Sequence, residues 1–201
     1  MSTPDRSAPA VPPLPAEDHR CPRCRLSYPS LTVDDALALV EGLPAQVRAT
    51  VQAVPPGHLR RRPEPGTWSV IEYLCHLRDV LMTSTIRLHR VRTEDRPVLE
   101  PMLNDLRARR FRYLEHDPNA VLDELGWAAQ GLSDEARRVA DDGWDRVATR
   151  LPGEERTARW LVRHAAHEGR HHLADVVAVH RSLSQERSAP LGQGREDAER
   201  L

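Results

Sequence analysis

Apolar residues recur at helical spacing in four stretches of the chain. Val70, Leu74, Leu77, Leu81 and Leu88 follow one another at intervals of four, three, four and seven, which lines one face of a helix. Ser69 and Glu72 stand where a capping box needs them, so this helix is predicted from Ser69 to about Arg92. A preceding helix is predicted from Val33 to about Ala53, with Thr32 as cap and Asp34 and Asp35 in its first turn. Gly42 and Pro44 are places where it can kink, and Pro55-Pro56-Gly57 ends it. A third begins after Asp117-Pro118 and presents Leu122, Leu125, Ala129, Leu132 and Ala136 on one face, ending near Ala140. The fourth follows a turn at Pro152-Gly153, is capped by Thr157 and runs to about Ser182, with Leu161, Ala165, Val176 and Val179 as its apolar stripe. Leu103 to His116 reads as a short helix. Nothing reads as a β-meander or a glycine-rich phosphate loop, so the pattern predicts an all-α four-helix bundle.

The flanks are different. Residues 1 to about 30 carry seven prolines and few large apolar groups, and are predicted to be mostly unfolded. The stretch 184–201 is polar and aperiodic, and is also predicted to be loose. That leaves one domain over 31–183. The charge is nearly balanced, with 30 acidic residues against 29 basic ones, and every basic residue is arginine. With no dominant basic patch, nucleic-acid binding is not expected, and Arg107 to Arg112 reads as a solvated helix face. No apolar run reaches the ~20 residues of a membrane span, and the proline-rich N-terminus has no apolar signal core, so a cytoplasmic protein is expected. Three cysteines suit a reducing compartment.

The candidate chemistry lies in Arg163-His164-Ala165-Ala166-His167-Glu168-Gly169-Arg170-His171-His172. At roughly 100° per residue, with Trp160 at zero, His164 falls near 40°, His167 near 340° and His171 near 20°. These three form one stripe, and His172 lies roughly 100° away. Such a row offers neutral nitrogen ligands to a divalent metal; the alternative is the edge of a solvated face. Apolar residues border it on one side and Arg159, Arg163, Arg170 and Arg181 on the other. A further ligand must come from a neighbouring helix, and His76 is the best candidate, because it lies off the leucine stripe. Taken alone, His76 also fits a satisfied core histidine. Glu72 and Asp79 can each orient an imidazole through its second nitrogen, or lie on the surface. Glu168 points roughly 100° away from His167. Arg163 and Arg170 can steer a carboxylate-bearing substrate or belong to a solvated face. Cys21-Pro22-Arg23-Cys24 is half of a zinc knuckle, with His19 as a third donor, or else two reduced thiols on a tail; no second CxxC exists.

Trp68-Ser69 followed by His76, and then His167-xxx-His171-His172-Leu173-Ala174-Asp175, resembles the DinB-like (DinB/YfiT) metalloprotein superfamily over about Leu31 to His180. The resemblance implies a bundle of the up-down-down-up type. It implies His76, His167 and His171 as ligands of a divalent metal, zinc or nickel. His164 then sits behind the ligands or faces substrate; Glu72 and Arg163 join it as supporting candidates on their own positions, not through the resemblance. Ala174 stands where a glutamine often follows the histidine pair, so a glutamine contact does not carry over. In the cysteine leader, Arg25 stands at the usual glycine position. Relatives include transferases and isomerases that use low-molecular-weight thiols such as bacillithiol or mycothiol, and such bundles often pair as homodimers. The expected function is a metal-dependent thiol S-transferase acting on small electrophiles, with mycothiol as co-substrate because arginine-only basic residues suit GC-rich coding. A metal-dependent hydrolase and a non-catalytic, stress-linked metal-binding bundle are the alternatives.

Overall fold

The computed structural model describes residues 11–188. Four long helices carry the core: α1 (Val33–Gln52), α2 (Val70–Thr93), α4 (Pro118–Ala136) and α5 (Ala158–Ser188). A short helix, α3 (Asn104–Arg110), lies between α2 and α4. The caps are those the sequence offers. Thr32 accepts from the Asp35 amide at 3.0 Å, Asp117 from Ala120 at 2.9 Å and Thr157 from Trp160 at 3.0 Å. These bonds engage amides that a helix start otherwise leaves without partners. The Glu72 carboxylate accepts from both the amide and the hydroxyl of Ser69, at 2.9 and 2.8 Å. Pro44 lies inside α1, which continues through it to Gln52.

The leucine stripe of α2 is fully inside, as are the apolar faces of α4 and α5. α1 packs on α4 and α5, and α2 packs on the same two helices. The consecutive helices α1 and α2 therefore occupy opposite corners of the bundle. Where α1 meets α5, Gly169 permits a close approach: a Cβ there would lie 2.7 Å from Leu43 Cδ2.

Besides a longer α5, two features depart from the sequence reading. Val147–Leu151 (β1) and Glu154–Thr157 (β2) form an antiparallel hairpin closed by Pro152 and Gly153, the latter with φ of 76°, and β2 runs straight into α5. The other departure is the leader, expected to be unfolded over 1–30. Residues 11–30 instead lie along the hairpin and α5, while 1–10 fall outside the described residues. Proline carbonyls in this segment have no repeating backbone partner, and arginines supply one. Arg150 donates to the Pro12 carbonyl at 2.6 Å, Arg156 to Leu14 and Pro15 at 2.7 and 2.8 Å, and Arg163 to Leu31 at 2.6 Å. Tyr28 is completely buried. At the other end α5 extends to Ser188, past the predicted stop, and 189–201 fall outside the described residues.

Candidate metal centre

The long helix α5 carries two i,i+4 pairs of donor side chains, displaced from each other by one residue. Glu168 and His172 form one pair, His167 and His171 the other. One residue turns the helix roughly 100°, so the pairs look in different directions. Glu168 and His172 face His76 on α2. His167 and His171 face the leader, where Cys21 and Cys24 meet them, and His167 also comes together with His164 and Glu168 between the two groups.

In the first group the Glu168 carboxylate oxygen Oε2 lies 3.4 Å from His76 Nε2 and 3.4 Å from His172 Nε2. The two imidazoles meet edge to face with centroids 4.9 Å apart. His76 is inside the protein, and Trp68 packs against it at 5.1 Å. The His76 Nδ1 atom is buried with no hydrogen-bond partner among the described residues. On the far side of His172, Nδ1 lies 2.9 Å from Asp175 Oδ2. Asp175 is held in turn by the Arg23 guanidinium.

Burial pulls the His76 ring below its ordinary pKa, against the opposing pull of Glu168. Burial also acts to lower His172, but hydrogen bonds to Asp175 and Glu168 outweigh it and push the ring up to about 9. Burial acts to raise Glu168, yet its bonds to His172 and His76 hold it well below the usual carboxylate range. Without a metal the His172 ring is thus protonated between two ionised carboxylates, and a cation bound there would take the place of that proton.

The donor set fits a divalent cation. Two imidazole nitrogens and one carboxylate oxygen converge within 4.8 Å of one another. Two histidines and a carboxylate are a ligand set that leaves coordination positions open on zinc and on other divalent metals. Asp175 bonded to the outer nitrogen of His172 supplies the carboxylate that normally fixes a ligating imidazole.

A cavity of about 550 Å³ adjoins this group. His76, His164 and Glu168 form part of its wall, residues 11–15 of the leader another, and Asn104, Asp105 and Leu106 a third. His164 stacks flat on Trp160 at 4.4 Å. Its Nδ1 lies 3.0 Å from the Tyr28 hydroxyl, and burial pushes its pKa down to about 4, so the ring is neutral.

The remaining sequence candidates are placed as follows. Of the expected set His76, His167 and His171, the two α5 residues converge with Cys21 and Cys24, and His167 also with His164 and Glu168, while His76 converges with Glu168 and His172. Glu72 is engaged by the helix cap and by Arg62, not by His76. Asp79 accepts from Tyr113 at 2.5 Å and from Arg78 at 2.7 Å, again away from His76. Arg163 anchors Leu31 of the leader. Glu168 as a donor and His172 as its partner were not singled out. The spacing His164, Glu168, His172 at i, i+4 and i+8 is the signal for them, once a carboxylate is allowed in the set.

The sequence matches the DinB superfamily profile over residues 31–176. Among solved structures, the chain is similar to YfiT from Bacillus subtilis, described as a probable metal-dependent hydrolase with an unusual four-helix bundle topology. The TM-score is 0.68 and the identity 22%, covering 76% of this chain and 87% of that one. It is also similar to the mycothiol-dependent maleylpyruvate isomerase, with a TM-score of 0.61 and 15% identity, over 75% of this chain and 63% of that one. At these identities the likeness concerns the fold. A search of curated proteins finds no match. Sequence match and four-helix architecture agree: the chain belongs to the DinB superfamily.

Proposed function

We propose that His76, Glu168 and His172 hold one divalent cation, zinc or nickel, and that the protein is a metal-dependent enzyme which turns a low-molecular-weight thiol onto a small electrophile. The observation that carries this reading is the convergence of two imidazoles and a carboxylate, of which His76 and Glu168 also line a cavity of about 550 Å³. That volume lies in the range of small-molecule sites, roughly 300–1,000 Å³. Bound there, a divalent cation deprotonates a coordinated thiol and lowers the pKa of coordinated water to about 7.

The chain's own residues supply the rest. Asp175 holds His172 in one tautomer and orientation. Glu168 keeps its charge between the two rings. His164 enters the cavity wall neutral, with Nδ1 engaged by Tyr28, leaving Nε2 to carry or accept a proton. Arg109 is an exposed cation on the same cavity and suits a substrate with an anionic group. Mycothiol is the thiol we favour, supported by the structural likeness to an isomerase that depends on it. None of the three cysteines is paired in a disulfide, which supports a reducing, cytoplasmic setting.

A second reading, metal-dependent hydrolysis, has its own support. A His₂-carboxylate set is a known hydrolytic zinc arrangement, and YfiT is described as a probable hydrolase. Metal-loaded protein incubated with mycothiol and a panel of small electrophiles separates the two. The expected result is thiol consumption well above that of a His76→Ala variant. Turnover of esters or amides without thiol, and no thiol consumption, overturns the first reading in favour of the second.

A further inference from the structure

We infer that Cys21, Cys24, His167 and His171 form a second, structural zinc site that pins the N-terminal leader to α5. The four donor atoms lie within 4.8 Å of one another. Tetrahedral zinc with bonds of about 2.3 Å to sulfur and 2.0 Å to nitrogen sets its ligand atoms roughly 3.3–3.8 Å apart. The site needs only a small contraction to reach that geometry. Two thiolates and two imidazoles are a closed structural set, in contrast to the open group around His76.

Each donor is aimed by its surroundings. The Cys21 amide donates to the Leu26 carbonyl and the Arg25 amide to the Cys21 carbonyl, both at 2.9 Å, while Arg20 pairs antiparallel with Ser27. The result is a tight hairpin with both thiols on one side. Arg25 takes the left-handed conformation, with φ of 60°, at the position where a glycine is more usual. His167 is 94% buried, and its Nε2 atom has no hydrogen-bond partner among the described residues. Its Nδ1 lies 3.0 Å from the Tyr28 hydroxyl. A proton on Nδ1 donated to Tyr28 leaves the Nε2 lone pair free for a metal. His171 Nδ1 lies 3.4 Å from Cys21 Sγ. Zinc at that nitrogen puts the ring proton on Nε2, so Arg23 gives up its 3.0 Å contact there and keeps its bond to Asp175. His19, the nearest histidine in sequence, lies tilted beside His167 with centroids 5.2 Å apart and is not in the group.

The site has a consequence that rests on the proposed function. Arg23 lies between the two cysteines and bonds Asp175, the carboxylate that holds His172. Zinc in the knuckle therefore fixes the support of the centre beside it.

Cobalt(II) titration of the full chain tests the inference. The expected result is two equivalents bound, one of which brings thiolate-to-cobalt charge-transfer absorption in the near ultraviolet and tetrahedral bands in the visible. Cys21→Ser/Cys24→Ser removes the charge-transfer band and one equivalent. His76→Ala removes the other equivalent and leaves that band, so failure of one site is read apart from failure of the other. Absence of the charge-transfer band from the wild-type protein at cobalt saturation overturns the inference, whether or not the double variant folds. So does its persistence in a folded double variant.

Discussion

Asp175 Oδ2 stands 2.9 Å from His172 Nδ1, and the opposite nitrogen of that ring is thereby turned toward Glu168 and His76. The contact is half-buried, so water competes with it only partly. An imidazole held this way is both more basic and better aimed.

Asp175→Asn keeps the shape and removes the charge. It is expected to weaken metal binding at the His76 group about 10–100-fold while the far-ultraviolet circular dichroism stays unchanged. Competition with a chelator of known affinity measures this. Wild-type affinity in the variant contradicts the role given to Asp175.

The Tyr28 hydroxyl lies between two imidazoles, 3.0 Å from Nδ1 of His164 and of His167, and the residue is completely buried. Tyr28→Phe retains the ring and strands those nitrogens. The expected cost is about 1–3 kcal/mol in urea unfolding of the metal-free protein. A variant as stable as the wild type contradicts the bridging role.

Asp79 sets part of the acid limit of the fold. Burial acts to raise its carboxyl, but Tyr113, Arg107 and Arg78 outweigh burial and hold it below the ordinary value. Its stabilising contribution is therefore complete above its unfolded pKa of about 4, and is lost as pH falls through the still lower folded value. Removing one partner of such a buried set costs roughly 3–5 kcal/mol, so Asp79→Ala is expected to be less stable at pH 7 by an amount of that order. The difference from wild type should shrink below about pH 4. Urea midpoints from pH 7 down to pH 3 check it; a constant difference across that range contradicts the assignment.

The sequence carried the helices clearly, because caps and apolar spacing are local. Ser69 and Glu72, Asp117 and Pro118, and Thr157 each act on residues within one turn. The leader was opaque because its order comes from Arg150, Arg156 and Arg163, more than a hundred residues away, bonding proline-segment carbonyls. Composition records the prolines and not those partners. The hairpin was hidden for a related reason: Glu154-Glu155-Arg156-Thr157 is entirely polar, and Glu154 is inside because Arg150 and the Leu14 amide meet it. At the site, the histidine stripe drew attention to His164, His167 and His171. Angular position cannot tell which face looks toward α2 and which toward the leader, and the structure divides α5 between them.

The account centres on a cation held by His76, Glu168 and His172. Anomalous scattering from a crystal of the metal-loaded protein, recorded at the absorption edge of the bound metal, tests this most directly. The account predicts a strong peak bounded by His76 Nε2, the Glu168 carboxylate and His172 Nε2. A metal-loaded crystal with no peak there, or with signal only among Cys21, Cys24, His167 and His171, contradicts it.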